Sequence, residues 1–142
     1  IPVFMFIRMA MNAIDGVLAK KFNLQSRLGK FLNELTDVIS DTVLFIPFIL
    51  LVQTFPVSVV IFIALSIISE MAGVISESVS GDRRYDGPMG KSDRAFLIGV
   101  IAILLLFSIP LQPYLHFIFL AASLLICLNI YKRVINGMEV KR

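Results

Sequence analysis

The chain has 142 residues and a formal charge of +3; 58% of it is hydrophobic and 16% charged, with a mean hydropathy of +0.90. A soluble domain is roughly 45–50% apolar and about 25% charged, so this balance excludes an ordinary water-soluble globule and points to a bilayer. The positive charge is not a nucleic-acid signal, because the basic residues stand where membrane topology and anionic head groups would place them.

Apolar runs predict five membrane spans, at about 1–19, 31–53, 57–77, 95–111 and 114–132, in an all-α polytopic bundle that forms a single domain over 1–142. The run at 95–111 is the shortest. Because the sequence opens inside an apolar run, an earlier span is expected, giving six in the intact protein. Of the thirteen Lys and Arg, all but Arg8 fall into three clusters. Lys20, Lys21, Arg27 and Lys30 lie between the first two spans, Arg83, Arg84, Lys91 and Arg94 between the third and fourth, and Lys132, Arg133, Lys141 and Arg142 after the fifth. The alternate connections, Gln53 to Pro56 and Ile109 to Pro113, carry no Lys or Arg. The positive-inside rule therefore puts the three clusters in the cytoplasm of a multi-pass protein, with a bacterial inner membrane as the expected location.

Carboxylates and carboxamides recur at helical spacing between Asn12 and Asp41. Asn33, Asp37 and Asp41 are spaced i, i+4, i+8, and Asn12 and Asp15 are spaced i, i+3, so each set shares one helix face. Ionisable groups in membrane segments are costly and line protein interiors or wet cavities, which makes their convergence a candidate site. Cys127 is alone within the last span and His116 is alone beside an outer turn, so a thiolate or imidazole metal site is not expected. Oxygen ligands instead suit Mg²⁺ or Mn²⁺, which commonly bind with substrate phosphates. Glu70 and Glu77, seven apart on the third span, are expected to buttress a polar interior.

The frame Asn12-x2-Asp15-Gly16-x2-Ala19-Lys20-x8-Gly29-x3-Asn33-x3-Asp37 resembles the D-x2-D-G-x2-A-R-x8-G-x3-D-x3-D signature of the integral-membrane CDP-alcohol phosphatidyltransferases, with every spacing matched. Gly90-Lys91-Ser92-Asp93-Arg94 is similar to an acceptor-side loop of the phosphatidylglycerophosphate synthase branch. Asn stands for Asp at positions 12 and 33, and Lys20 stands for Arg.

The resemblance implies transfer of a phosphatidyl group from a CDP-linked lipid such as CDP-diacylglycerol to an alcohol, with release of CMP, in phospholipid synthesis. It implies Asp15 and Asp37 as principal metal ligands, Asn12 and Asn33 as weaker ones, and Asp37 as general base. Asp15, Gly16, Ala19, Lys20 and Gly29 would border the nucleotide. Lys91, Arg94, Arg83 and Arg84 would meet the phosphate of an acceptor. Asp41 is either a further metal ligand or a hydrogen-bonded interior carboxyl. A homodimer is the family expectation. Two other readings stay open: a weakened or inactive member, because two acids are lost, and an ion- or proton-coupled transporter that uses the intramembrane acids.

Overall fold

The computed structural model describes residues 27–81 and 85–138, which form five helices and no strand. In chain order these are α1 (Arg27–Phe45), α2 (Pro47–Leu51), α3 (Val57–Ser80), α4 (Lys91–Leu106) and α5 (Leu115–Met138). The first expected span, at about 1–19, lies outside the described residues.

Two of the helices, α3 and α5, are long and apolar enough to cross a bilayer core by length and composition. The others differ from the expected spans for identifiable reasons. The run at 31–53 is two helices, because Pro47 has no N–H to continue the ladder and the chain turns at Ile46 before resuming as α2. Helix α4 starts earlier than the apolar run and ends earlier too, with Ser108 at a left-handed φ of 57° just past its end. At 16 residues it is about 24 Å long, less than the ~30 Å hydrocarbon thickness. Helix α5 runs to Met138, well beyond the expected end at 132, and so takes in Arg133.

Helices α3 and α5 form the main packing of the molecule. Their contacts advance together along both chains, from Phe62 with Phe119 to Ser69 with Asn129 and Ser76 with Arg133, so the two helices run parallel. Small residues permit the approach: a Cβ on Gly137 would collide with the Ser76 side chain.

The buried face changes character along its length. Near the start of α3 and α5 it is apolar, with Phe62 stacked at 5.2 Å on both Phe45 and Phe119 in tilted and edge-on geometry, and Phe48 against Phe119 at 5.9 Å. Toward their ends it becomes polar, with Ser66, Ser69, Glu70 and Ser76 on α3 and Asn129 and Arg133 on α5 all buried. Hydroxyls on this face and on α1 donate to carbonyls of the preceding turn, as Ser40, Thr42, Ser66 and Ser123 do, which satisfies each of them in an apolar setting. The outward faces are the reverse: Leu50, Leu106, Phe107, Phe117 and Leu124 are exposed, a surface suited to lipid rather than water.

Candidate active site

Asp37 sits on α1, with Asn33 one turn before it on the same face. The Asn33 amide donates to Asp37 Oδ2 across a long 3.5 Å. The same oxygen is in direct contact with the Lys91 ammonium, so the two segments singled out in the sequence, far apart in the chain, meet at one carboxylate. Asp37 retains 15% of its side-chain exposure and Lys91 32%, so the ammonium is the more accessible of the two.

Lys91 is delivered by a constrained segment. Gly87 has φ 100° and approaches α5 so closely that a Cβ would lie 2.8 Å from the Asn129 Cα, and Met89 follows with φ 59°. Only glycine fits the first of these positions without strain. The Gly90 N–H then donates to Asp93 Oδ2 at 3.0 Å, closing the first turn of α4 with an acid at the positive end of the helix dipole.

Arg94, one turn into α4, points inward. Its guanidinium is 1% exposed, donates from Nη2 to Glu70 Oε1 at 2.5 Å and from Nη1 to the Met89 carbonyl at 3.3 Å. Arg133 approaches the same Glu70 oxygen at 3.7 Å and donates to the Ser69 carbonyl at 2.5 Å, while Ser69 Oγ donates to Asn129 Oδ1 at 2.8 Å. This arrangement ties α3, α4 and α5 together at the polar end of the bundle. Asp41, 8% exposed, lines a cavity of about 10 Å³ with Thr42, Ser66, Glu70 and Arg94, space for about one water. It belongs to the layer beneath Asp37 and faces this ionic cluster.

The structure thus brings Asn33, Asp37 and Lys91 together and sets Asp41 and Arg94 one layer deeper. Gly29 is exposed in the first turn of α1. Asn12, Asp15, Gly16, Ala19, Lys20, Arg83 and Arg84 lie outside the described residues. Among the described residues no three His, Cys, Asp or Glu side chains gather at a metal-binding distance. What is described of the donor set, a carboxylate and an amide on one helix face, fits a hard divalent cation in chemistry and needs ligands from a second segment to complete a shell. Sequence reasoning missed Asn129 and the inward role of Arg133; the signal for both was their place on the buried stripe of α5 at Ala122, Ile126, Asn129, Arg133 and Gly137.

Over 100 residues the chain is 45% identical to the "Inner membrane protein YnbA" of Escherichia coli (strain K12), a match that covers 70% of this chain and 50% of that protein. The chain therefore spans about half the length of the curated relative it matches. No solved structure matches it. A family model for CDP-alcohol phosphatidyltransferases matches residues 2–129, and the chain belongs to that family.

Proposed function

We propose that the protein transfers a phosphatidyl group from a CDP-linked lipid such as CDP-diacylglycerol to an alcohol, releasing CMP, at a site that opens to the cytoplasmic face of a bacterial inner membrane. The observation that carries this reading is the meeting of Asp37, the last position of the motif frame, with Lys91 of the loop that resembles an acceptor-binding segment. The parallel run of α3 and α5 supports a five-span arrangement in which α4 crosses back between them.

In this reading Asp15 and Asp37, with Asn12 and Asn33, hold Mg²⁺ or Mn²⁺. The bound cation would screen the diphosphate and the charge that develops on its oxygens during transfer. Asp37 takes the proton from the acceptor hydroxyl as the oxygen attacks the lipid-linked phosphorus, and the bond to CMP breaks. Gly16, Ala19, Lys20 and Gly29 border the nucleotide. Lys91, with Arg83 and Arg84 of the same loop, faces the acceptor phosphate, and Arg94 contributes its charge from beneath while held on Glu70. Asp41 is an interior carboxyl of that lower layer.

Asp15→Ala and Asp37→Ala test the site directly. In folded, purified protein each is expected to abolish metal-dependent binding of CDP-diacylglycerol measured by calorimetry. Unchanged binding in both variants would overturn the assignment.

A further inference from the structure

Asp37 Oδ2 already accepts from two donors. The Lys91 ammonium contacts it, and the Asn33 amide approaches the same oxygen at 3.5 Å. A carboxylate oxygen has two lone pairs, so one donor must leave before Oδ2 can take a proton from another group. Asn33 lies one turn before Asp37 on α1 and keeps its place with the helix. Lys91 belongs to a different element, reaches Asp37 on a flexible four-carbon stem and is the more exposed of the pair.

The backbone behind Lys91 does not need to move for the ammonium to leave. Arg94, one turn along α4, is buried on Glu70 and the Met89 carbonyl, Asp93 closes the turn at Gly90, and Gly87 is pressed against Asn129 of α5. Helix α4 therefore holds its first turn while the Lys91 side chain alone changes rotamer. Only an anion that competes better than Asp37 can draw it off. A neutral hydroxyl brings no charge, and a second carboxylate only matches Asp37. A phosphate monoester carries about −1.5 to −2 at neutral pH and three acceptor oxygens, one for each ammonium proton. Lys91 is the first residue of α4, where the positive end of the helix dipole favours the same ligand.

Building on the phosphatidyltransferase reading, we propose that Lys91 is a removable mask on Asp37 that only a phosphate-bearing acceptor lifts, so that the pair selects a soluble phosphomonoester alcohol over an uncharged one. The acceptor's phosphate takes the ammonium, and its hydroxyl then meets an uncovered Oδ2. The hydroxyl proton passes to Oδ2, the alcohol oxygen bonds to the lipid-linked phosphorus, and the bond to CMP breaks with its electron pair leaving on CMP. Without a phosphate the ammonium stays on Oδ2, and neither water nor a neutral alcohol is activated there.

The first arm of the test needs no transfer: calorimetric titration of the purified full-length protein with glycerol 3-phosphate, and with glycerol as control. Wild type is expected to bind the first and not the second, and Lys91→Gln should remove most of that binding. Because Asp37 competes for the ammonium, Asp37→Asn should tighten binding by up to about fivefold, the scale of a partly exposed ion pair. Damage to the fold lowers affinity and cannot imitate this gain. The gain should vanish when Lys91→Gln is added; if it survived, it would be plain repulsion by Asp37 and the proposal would fall. Unchanged affinity in Asp37→Asn would overturn it as well. So would a gain for phosphatidic acid in detergent micelles but not for glycerol 3-phosphate, because a lipid phosphate would then lift the mask.

The second arm is CMP release from CDP-diacylglycerol with each alcohol. Lys91→Gln should slow transfer to glycerol 3-phosphate and raise transfer to glycerol above wild type, whereas equal loss with both would overturn the mask. No CMP from any variant, beside the Asp37→Asn gain in binding, would remove the phosphatidyltransferase reading and leave the exchange of Lys91 between Asp37 and phosphate standing.

Discussion

The two polar regions of the molecule use the same residue types to opposite ends. At the interface of α3, α4 and α5, Glu70, Arg94 and Arg133 are all buried, with the acid shared between two guanidiniums and with backbone carbonyls taking up further donors. Between α1 and the start of α4, Asp37 and Lys91 form a pair whose cation is less withdrawn from solvent than either arginine. A buried ion pair surrounded by helices cannot readily exchange partners, because any separation leaves a bare charge in a low-dielectric setting. A pair whose cation is about a third exposed can, because water or an incoming ion covers the cost. The first arrangement therefore holds the scaffold, and the second can exchange its partner.

The contrast is broken most sharply by removing each acid in turn. Asp37→Asn is expected to lower CMP release by at least 10²-fold, the range lost with a general base, while leaving thermal stability nearly unchanged. Glu70→Ala should do the reverse: it strands two buried guanidiniums and should destabilise the bundle by about 3–5 kcal/mol, read by thermal or denaturant unfolding in detergent. If Glu70→Ala left stability intact and removed only activity, the division between scaffold and site would be wrong.

A smaller effect is expected where the two regions are joined. Gly87→Ala places a Cβ against Asn129 at a φ that L-residues rarely adopt, at a cost of about 1–3 kcal/mol, and should displace the segment that presents Lys91. Transfer should fall in step, and Asn129→Gly, which withdraws side-chain atoms but not the α5 backbone, should restore it only in part. Smallest of all, Lys132→Ala, on the exposed face of α5 beside the buried Arg133, should change stability by no more than about 0.5 kcal/mol. A loss comparable to that of Arg133→Ala would show that exposure does not separate the two roles.

Much of this was legible in the sequence. Hydropathy located α3 and α5 because their outward faces are continuously apolar, and the motif spacing put Asn33 and Asp37 on one face of α1. What it did not reveal were interactions between segments distant in the chain. Arg133 reads as one more basic residue in a tail after the last span, yet α5 continues past it and turns it inward onto Ser69 and Glu70. Arg94 reads as a loop cation and is the first buried residue of α4. Charge counting treats such arginines as topology determinants, because hydropathy has no means of knowing that Glu70 waits on the neighbouring helix. In the same way Asp37 and Lys91 carry separate roles in the sequence, metal and acceptor, and only the fold places one against the other.

The most direct test of the account is CMP release from CDP-diacylglycerol by the purified full-length protein, across a panel of free and phosphorylated alcohols, with a divalent cation or a chelator present. The expected result is CMP formed in equal amount to a new phospholipid, for at least one alcohol, dependent on the cation and lost in Asp37→Asn. Folded wild-type protein that binds Mn²⁺ yet releases no CMP with any alcohol, while moving ions or solutes across liposomes, would contradict it.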